Sequence, residues 1–445
     1  MARAKKIPLI ADFNHIPAEA LVPEEEWPYP IPKHWKWVRL ESVVEMRIGK
    51  TPARAEEKYW DSYDYPWVKI SDFTDEGVIA GSQEQISSVA FREVFKGRLV
   101  PAGTLLMSFK LTIGKCAILD IAAVHNEAII SIFPQCSIVN RDYLFHCLPT
   151  ITQFGIQRSA VKGSTLNSNS LNALPLPLPP LTEQKQIVAY LDEKLGKIDS
   201  VREKLQDFLD HADKRKDNLI QAAITGHLTH QWRDQHSVSM ASWKQVQLGK
   251  LGKWGGGGTP SKSKSSFWDG GTIRWITSKD MKTSEILDTL DHITAKAVEE
   301  STANLYQEPA ICVVMRSGIL RRTLPIAKVN GEFTVNQDLK VLHAFADGVE
   351  PDFIYLALLG HSDRILDVCS KSGTTVESIE FSKLKDYEIE LPVLPEQEEI
   401  ARILDEQLAR IDAADSKVQE ALDQLNLLKE QLVSAALAGR FSNAK

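Results

Sequence analysis

The 445-residue sequence predicts an α+β protein, with two similar mixed α/β domains separated by two long helices that form an antiparallel coiled coil with pseudo-twofold symmetry. Two observations predict this fold. A charged helical segment occurs twice in the chain, and the regions outside it share a further set of landmark residues. The period is too long for a solenoid, so the duplicated unit has two parts, a domain and a helix.

The helical segment reads "LTEQKQIVAYLDEKLGKID" from Leu181 and "LPEQEEIARILDEQLARID" from Leu394. Nine of the eighteen residues that begin at Glu183 and at Glu396 are identical. Such similarity across an offset of 213 residues indicates an internal duplication rather than chance.

Apolar residues in both copies recur at alternating steps of three and four, which is the spacing of a heptad seam. The seam is interrupted at two matching places, Arg202 and Lys216 in the first copy and Asp415 and Lys429 in the second. So narrow a strip requires a partner helix, and the nearest candidate is the other copy, in an antiparallel pair. The alternative is a coiled coil used only for dimerisation, which does not explain the duplicated domains.

Residues at the ends of these segments predict where the helices begin and end. Thr182 is the expected N-cap of the first helix, and Pro395 suits the first turn of the second. Gly226 and Gly439 are the expected C-terminal stops.

Landmark residues also recur between the helices. Pairs at an offset of 208 are Thr51-Pro52 with Thr259-Pro260, Trp60-Asp61 with Trp268-Asp269, Trp67 with Trp275, Asp72 with Asp280, and Met107 with Met315. Pairs at an offset of 210 are Asn126 with Asn336, Asp142 with Asp352, Gly163 with Gly373, and Thr165 with Thr375. Between these landmarks the sequences of the two halves differ. The halves are therefore expected to share a structural scaffold and to differ in the other residues that it carries.

Each domain is expected to contain buried strands followed by helices. The runs "TLLMSF", "AIISIF" and "AICVVM" are apolar and bounded by turn residues, as buried strands are. "RDYLFHCLPTITQFGIQ" and "PDFIYLALLGHSDRILDVC" have apolar residues at helical spacing. The exits "LPLPLPPL" and "LPVLP" predict extended segments, because proline cannot continue into the body of the next helix.

Composition favours a cytoplasmic protein. No apolar run is long enough to span a bilayer, and the start lacks the features of a signal peptide. Five widely spaced cysteines without a CxxC motif argue for a reducing compartment and against structural zinc. The net charge of −7 lowers the expectation of DNA binding without excluding it, since only the contacting face must be basic.

Motifs of catalysis are missing from the sequence. The "GKT" at Gly49 lacks the earlier glycine of a phosphate loop, because that place is Val44. There is no HExxH motif, and no Asn- or Asp-Pro-Pro-aromatic tetrapeptide of the kind an adenine methyltransferase needs for a flipped base. His125 and His211 are lone histidines, interpreted as structural or exposed. We therefore expect a non-catalytic chain without a metal or cofactor of its own.

A tryptophan-rich start ("HWKWVRL", "SWKQVQL"), a Thr-Pro after a glycine-containing loop, a Gly-Ser/Thr-Thr loop and a "PLPPLTEQ" helix entrance all occur twice or nearly so. This ordered set, over about residues 30 to 442, resembles the specificity subunit of type I restriction–modification enzymes. The resemblance implies two target-recognition domains that each read one half of a split, asymmetric site in double-stranded DNA. We expect no association with a membrane.

The resemblance further implies partner subunits. Two modification (methyltransferase) subunits would bind the paired helices, and two restriction (motor-nuclease) subunits would complete the complex that cleaves unmodified DNA. S-adenosylmethionine, ATP and Mg²⁺ are expected on those partners and not on this chain. A second hypothesis is a non-catalytic protein-interaction scaffold, in which two globular heads bind proteins and the coiled coil tethers them.

The repeat and the resemblance together predict seven segments. They are an N-terminal extension at 1–30, target-recognition domain 1 at 31–181, long helix 1 at 182–228, a linker at 229–242, target-recognition domain 2 at 243–395, long helix 2 at 396–440, and a C-terminal tail at 441–445. The extension is longer than is usual in the family, and disorder is the expectation for it.

Polar loop residues with DNA-contacting chemistry are the candidate site. Arginine and lysine suit phosphates and guanine, while asparagine, glutamine and hydroxyl side chains suit other base edges. The candidates of the first half are Lys50, Thr51, Arg54, Lys69, Ser71, Lys110, Lys115, Arg158, Lys162, Ser164, Thr165 and Asn167. Those of the second half are Thr259, Lys262, Lys264, Thr277, Ser278, Lys279, Arg316, Arg321, Arg322, Lys371, Thr374 and Thr375.

Residues that both halves share cannot explain why two halves would read different sequences. The Thr-Pro pairs and the tryptophans at 60, 67, 268 and 275 are therefore assigned to the core or scaffold and not to base reading. The alternative for any single lysine or serine on the candidate list is a solvated loop position.

Overall fold

The structure is a computed structural model that describes residues 7–74, 76–110, 112–161, 168–307, 309–371 and 376–441, with the backbone alone at 155–161 and 168–169. The chain divides into two compact units. Unit 1 comprises Met1–Leu205 and Ala421–Lys445, and unit 2 comprises Gln206–Glu420. Each unit therefore combines one mixed α/β domain with a part of each long helix.

The first half of the chain supplies a mixed domain and the first long helix. Its strands are β1 (Lys36–Arg39), β2 (Val44–Ile48), β3 (Tyr65–Val68), β4 (Val78–Ile79), β5 (Gln85–Ile86), β6 (Leu105–Ser108), β7 (Cys116–Leu119), β8 (Val124–His125), β9 (Ile129–Pro134) and β10 (Pro175–Leu178). Its helices are α1 (Ser88–Glu93), α2 (Arg141–Val161), α3 (Ser168–Asn172) and α4 (Leu181–Asp210).

The second half repeats this order. Its helices are α5 (Ala212–Ile224), α6 (His230–His236), α7 (Ala295–Glu300), α8 (Pro351–Gly360), α9 (Ser362–Cys369), α10 (Phe381–Asp386) and α11 (Leu394–Leu437). Its strands are β11 (Lys244–Gln247), β12 (Lys253–Gly256), β13 (Ile273–Ile276), β14 (Asp291–Ile293), β15 (Ala310–Val314), β16 (Ile326–Val329), β17 (Phe333–Val335), β18 (Leu339–His343) and β19 (Glu388–Leu391).

The two domains have the same sheet topology. In unit 1 the strand orders are β2-β9-β6-β7-β4, β5-β3-β8 and β1-β10, and in unit 2 they are β12-β18-β15-β16, β14-β13-β17 and β11-β19. In unit 2, an isolated parallel bridge between Glu285 and Lys328 takes the place of the parallel pair of β4 and β7 in unit 1. In both units the central strand of the three-stranded sheet pairs in parallel with one neighbour, β8 or β17. The predicted fold class and duplication are confirmed.

Apolar runs in the sequence become the central strands. Every residue of β6 and of β15 is buried, which explains why these strands lack the alternation of a half-exposed strand. The two predicted helical runs form α2 in unit 1 and α8 with α9 in unit 2. The proline-rich exit of the first domain forms β10, an edge strand in which missing N–H groups are tolerated.

The long helices pair antiparallel within each unit. In unit 1, Leu191 and Leu195 lie in one cluster with Leu432 and Ala436. In unit 2, Ile224 lies in one cluster with Ile400 and Leu404. The start of one helix therefore packs against the end of the other in each case, which buries the predicted seam.

Polar interruptions of the seam form ion pairs between the helices. Lys429 Nζ lies 2.9 Å from Asp199 Oδ1 in unit 1, and Lys216 Nζ lies 2.6 Å from Asp412 Oδ1 in unit 2. An offset of 213 residues relates Lys216 to Lys429 and Asp199 to Asp412. The same pair of positions is thus used twice with the roles of the helices exchanged, as an internal twofold repeat requires.

The first long helix differs from the continuous 182–228 segment that the sequence predicts. It is interrupted at His211 and ends at Ile224. The His211 ring donates to the Asp207 carbonyl oxygen and Arg215 donates to the Phe208 carbonyl oxygen, at 2.7 and 2.6 Å. These side chains bond to backbone carbonyl oxygens that would otherwise accept from amides of the next helical turn. This competition accounts for the break in the helix.

The predicted helix termini are partly right. Gly226 and Gly439 adopt φ of 75° and 76°, the left-handed conformation of a C-terminal stop. Pro395 lies in the first turn of α11. The Thr182 N-cap prediction is wrong, because α4 begins at Leu181. The Pro180 carbonyl oxygen accepts from the backbone amides of Glu183 and Gln184, so the first turn includes Thr182. The segment predicted as a linker at 229–242 contains α6.

Disorder of the N-terminal extension is contradicted for residues 7–30. Ile10 and Ala20 are fully buried in the core of unit 1. The Val22 amide donates to the Trp37 carbonyl oxygen, and the Tyr29 ring packs edge-on against the Trp37 ring at a centroid distance of 5.0 Å. Burial of the apolar residues of the extension offsets the entropy lost when it becomes ordered along β1. The sequence did not indicate this burial, because these apolar residues stand among many acidic ones.

Within the described ranges, no helix is long and apolar enough to cross a membrane.

Candidate nucleic-acid interface

Each unit contains an equivalent turn, 126–128 after β8 in unit 1 and 336–338 after β17 in unit 2, which we call the hub turns. Asn126 Oδ1 accepts from the Ala128 amide at 3.1 Å, and Asn336 Oδ1 accepts from the Asp338 amide at 3.0 Å. The Asn126 and Asn336 amides in turn donate to carbonyl oxygens of β3 and β13, each at 3.0 Å. Asparagine therefore fixes the same turn in both units.

The Thr-Pro loops lie directly against the hub turns. A Cβ atom built on Gly49 would lie 2.1 Å from the His125 carbonyl oxygen, and one built on Gly257 would lie 1.9 Å from the Val335 carbonyl oxygen. Only glycine permits this approach. It brings the Thr51 hydroxyl within hydrogen-bonding contact of the Glu127 carboxylate.

Unit 2 repeats this contact with a different acceptor. Thr259 Oγ1 donates to Gln337 Oε1 at 2.6 Å. Both threonines and both residues that they contact are exposed. The two hubs therefore share the asparagine turn and the Thr-Pro loop. The exposed side chain that accepts from the threonine differs, being Glu127 in unit 1 and Gln337 in unit 2.

Tryptophan pairs support the Thr-Pro loops, as the shared-scaffold interpretation predicts. Trp67 and Trp275 are 2% and 3% exposed, and their indole N–H groups donate to the carbonyl oxygens of Lys50 and Gly258. Trp60 and Trp268 pack edge-on against them. Their own N–H groups donate to the loop carbonyls of residues 53 and 261, each at 3.1 Å.

Arg54 and Lys69 of unit 1 come together at one carboxylate, that of Glu84. The Arg54 guanidinium lies over the Trp60 ring at 4.0 Å and donates to Glu84 at 2.7 Å. Lys69 Nζ donates to the other oxygen of Glu84, also at 2.7 Å. The hydrogen bond from Lys69 and then that from Arg54 hold the pKa of Glu84 below its usual value. One carboxylate therefore keeps two candidate cations in a fixed arrangement.

The other candidates of unit 1 have separate surroundings. Lys50 donates to the Val94 carbonyl oxygen, and Ser71 is exposed on the turn after β3. Lys110 is exposed next to Phe109, whose amide donates to the Ala128 carbonyl of the hub turn.

Lys115 does not join these groups. Its ammonium group donates to the Phe73 carbonyl oxygen at 2.8 Å. The residue lines a cleft of about 1010 Å³ in unit 1, together with residues of α2, α4 and α11 such as Asp192 and Val433.

Unit 2 holds its basic candidates with different partners. Lys262, the counterpart of Arg54, lies 6.0 Å from the centroid of the Trp275 ring. Lys264 pairs with Glu300, which lowers the pKa of that carboxyl. Thr277, the counterpart of Lys69, donates to Asp280 through both its amide and its hydroxyl at 2.8 Å. Ser278 and Lys279 lie on the same turn, and Lys279 is exposed.

Arg316 connects the hub of unit 2 to the remaining candidates. Its Nε lies 2.9 Å from Asp338 Oδ1, and its backbone bridges to Ser378. Arg321 pairs with Glu377 at 3.0 Å, and the Lys371 amide donates to the Ser378 carbonyl oxygen. Arg322 is exposed, with no ion pair to any residue that the structure describes.

Some candidates cannot be placed. The side chains of Arg158, Lys162, Ser164, Thr165, Asn167, Thr374 and Thr375 lie outside the described residues. For the part of the chain that is described, no group of His, Cys, Asp and Glu side chains is arranged to hold a metal ion.

The acidic and amide side chains that hold candidates in place, among them Glu84, Glu127 and Gln337, are absent from the predicted list. The prediction rested on cations and hydroxyls, so it did not include the acceptors next to them. A signal was present, because Asn126 and Asn336 are landmarks and the residue after each one differs between the halves.

His125 is a buried structural residue beneath the first hub. Its Nδ1–H donates to the Asn126 carbonyl oxygen at 3.2 Å, so its Nε2 accepts from the Ser131 hydroxyl at 2.5 Å. Both residues are almost fully buried. Burial lowers the pKa of His125 from 6.5 to about 4, so the ring is neutral near pH 7.

Comparison with known proteins matches both domains to one family. The family model for the type I restriction modification DNA specificity domain matches residues 32–207 and 240–423. The EcoR124I/EcoR124II specificity subunit of Escherichia coli is 37% identical over 180 residues, which are 40% of this chain and 43% of that protein. The MjaIX specificity subunit of Methanocaldococcus jannaschii is 24% identical over 388 residues, which are 82% of this chain and 84% of that protein.

Solved structures share the fold over most of the chain. A chain from a structural study of complex assembly and conformational transition of the type I R-M system gives a TM-score of 0.69 at 19% identity, covering 93% of this chain and 100% of that one. The HsdS subunit of Thermoanaerobacter tengcongensis gives 0.59 at 17% identity, covering 94% and 100%. With a specificity domain in each half, the chain belongs to the family of type I restriction–modification specificity subunits.

Proposed function

We propose that this chain reads a split, asymmetric DNA site, with one half-site bound by each specificity domain. The observation that supports this most directly is the pair of hub turns. Both hubs are built from the same asparagine, Thr-Pro loop and tryptophan pair, while Arg54, Lys69 and Glu127 of unit 1 are replaced by Lys262, Thr277 and Gln337 in unit 2. Two equal frames that carry different donors and acceptors suit two different base sequences.

The chain itself is proposed to be non-catalytic. It recruits two modification subunits through its paired helices, and two restriction subunits complete the complex. S-adenosylmethionine, ATP and Mg²⁺ act on those partners, which methylate adenine or cleave unmodified DNA. In this arrangement the chain supplies sequence selection and its partners supply the chemistry.

An exchange of domains tests the reading of half-sites. Replacing residues 243–395 with the matching region of a relative is expected to change one half-site of the methylated sequence and to preserve the other. Methylome sequencing of cells that carry either version gives the two sequences directly. A change in both half-sites would contradict the assignment of one half-site to each domain.

The absence of catalysis has its own test. The isolated full-length chain is incubated with S-adenosylmethionine and DNA that contains the target sequence, and methyl transfer is measured. We expect transfer only after the modification subunits are added. Transfer by the isolated chain would contradict the non-catalytic role.

A further inference from the structure

Glu127 and Gln337 occupy one position in two equivalent frames. Each follows the asparagine that fixes its hub turn, and each is exposed. Each accepts a hydrogen bond from the threonine of its Thr-Pro loop. The duplication therefore presents two side chains of the same length, in the same setting, with different hydrogen-bonding chemistry.

The difference between the two side chains is one of donors. A carboxylate only accepts hydrogen bonds, whereas a carboxamide accepts at its oxygen and donates at its nitrogen. On base edges, a carboxylate suits the amino group of cytosine, and a carboxamide suits the paired acceptor and donor of adenine. A carboxylate facing phosphates would instead be repelled.

The frames hold these side chains ready for contact. Thr51 bonds to Oε2 of Glu127, and the other carboxylate oxygen has no partner among the described residues. Thr259 bonds to Oε1 of Gln337, and among the residues that the structure describes Nε2 makes one long contact, of 3.5 Å with Asp338. The threonines thus orient each group while leaving its second polar atom available. Orientation before binding reduces the entropy lost on contact.

Cations are held on the same elements that build both hubs. Arg54 lies over the Trp60 and Trp67 rings that support the Thr-Pro loop of unit 1, and it shares Glu84 with Lys69. Arg316 pairs with Asp338 of the hub turn of unit 2. Basic side chains around a neutral or acidic centre can contact the phosphates on either side of a base.

We infer that Glu127 and Gln337 are the matched base-reading residues of the two domains. Glu127 selects a base that offers an amino donor, with cytosine as the best fit, and Gln337 selects adenine. The inference rests on the proposed function, and it adds the residues that make the two half-sites different.

Reciprocal substitutions test this assignment. Wild-type full-length chain, assembled with its modification subunits, is used to select from a pool of duplexes with randomised positions, and the bound sequences are read. Glu127→Gln is expected to change the preferred base at one position of the first half-site by about tenfold or more, with the second half-site unchanged. Gln337→Glu is expected to do the reverse.

Controls separate base reading from charge. Glu19→Gln makes the same change of charge at an exposed position of the N-terminal extension, outside the hubs and the long helices, and we expect it to leave every base preference as in wild type. Glu127→Ala removes the acceptor altogether and should broaden the same position that Glu127→Gln alters. Circular dichroism of each variant verifies that it is folded.

The outcomes distinguish this inference from the function on which it rests. If wild-type protein selects a split site but both swaps keep its base preferences, the inference is wrong and the proposed function stands. A uniform loss of affinity without a change of preference also overturns the inference, since it indicates a phosphate or structural role. If wild-type protein selects no sequence, the proposed function itself fails.

Discussion

Gln184 and Gln397 make the same three hydrogen bonds in the two units. Gln184 Nε2 donates to the carbonyl oxygens of Ile138 and Pro179, each at 2.9 Å, and its Oε1 accepts from the Asn140 amide at 2.8 Å. Gln397 repeats this pattern with the carbonyl oxygens of residues 348 and 392 and the amide of residue 350. Each glutamine is fully buried and joins the first turn of a long helix to its domain.

Replacing either glutamine by alanine is expected to destabilise its unit. Gln184→Ala leaves a buried amide and two carbonyl oxygens without their partner, so we expect a loss of about 2–4 kcal/mol in the free energy of unfolding. Denaturant titration measures it. Gln186→Ala, an exposed position two residues away, is the control and should change stability by less than about 0.5 kcal/mol. Equal effects of the two variants would refute the role of the buried glutamine.

The glutamate before each glutamine is also repeated, but its surroundings differ. Glu183 and Glu396 both accept from a tryptophan N–H, that of Trp35 or Trp243. Glu396 is fully buried and also accepts from Arg233 of α6 at 2.7 Å. Glu183 remains 29% exposed, and its second partner is an exposed histidine, His34.

Loss of the basic partner should therefore cost far more in unit 2. Arg233→Met leaves a buried carboxylate without its counter-charge, and we expect a loss of about 3–5 kcal/mol. His34→Gln removes a solvent-exposed pair and should cost less than about 1 kcal/mol. Thermal and denaturant unfolding of the two variants provide the comparison. Similar losses in both would show that burial of Glu396 is not what makes Arg233 important.

These contacts mark the limit of what the sequence could predict. The duplication, the seam and the apolar strands follow from spacing alone, because burial imposes a period on the sequence. Gln184 and Glu396 looked like ordinary polar positions of a helix, since their partners are backbone atoms and a distant arginine. Ile10 was overlooked for a related reason, because an isolated apolar residue in an acidic segment has no period.

The sequence could indicate which loops carry the candidate residues, but not which of these residues contact each other. The Thr-Pro landmarks lie against both hub turns, and the basic residues near them were selected from the sequence by residue type. Which of them meet depends on the glycine approach at Gly49 and Gly257, a three-dimensional relationship with no sequence period. Glu84 shows the consequence, since it lies thirty residues from Arg54 in the chain and contacts it directly.

His125 should make the stability of unit 1 depend on pH. Its pKa is about 4 in the folded protein and near 6.5 when unfolded, so the unfolded chain binds more protons between these values. The stabilisation is fully present above pH 6.5 and is lost as pH falls toward 4, by about 3 kcal/mol at most. Unfolding measured at pH 7 and at pH 4.5 tests this.

Unit 2 supplies the matched variant, because Val335 and Val341 replace His125 and Ser131 there. The double substitution His125→Val with Ser131→Val should remove this part of the acid dependence and keep stability at pH 7 close to wild type. His125→Val alone leaves the buried Ser131 hydroxyl without its partner and should cost about 1–3 kcal/mol at pH 7. An unchanged acid dependence in the double variant would exclude His125 as its source.

Glu84 should limit the electrostatic attraction of unit 1 for DNA. Glu84→Gln removes a negative charge from between Arg54 and Lys69, so both cations become fully available to phosphates. The logarithm of DNA affinity should then fall more steeply with the logarithm of salt concentration, with a slope increased by up to about one. Fluorescence anisotropy over a salt series measures this slope for the full-length chain with its modification subunits. Glu19→Gln makes the same change of charge in the N-terminal extension, where it should have no such effect. An equal slope in both variants would place Arg54 and Lys69 away from the phosphates.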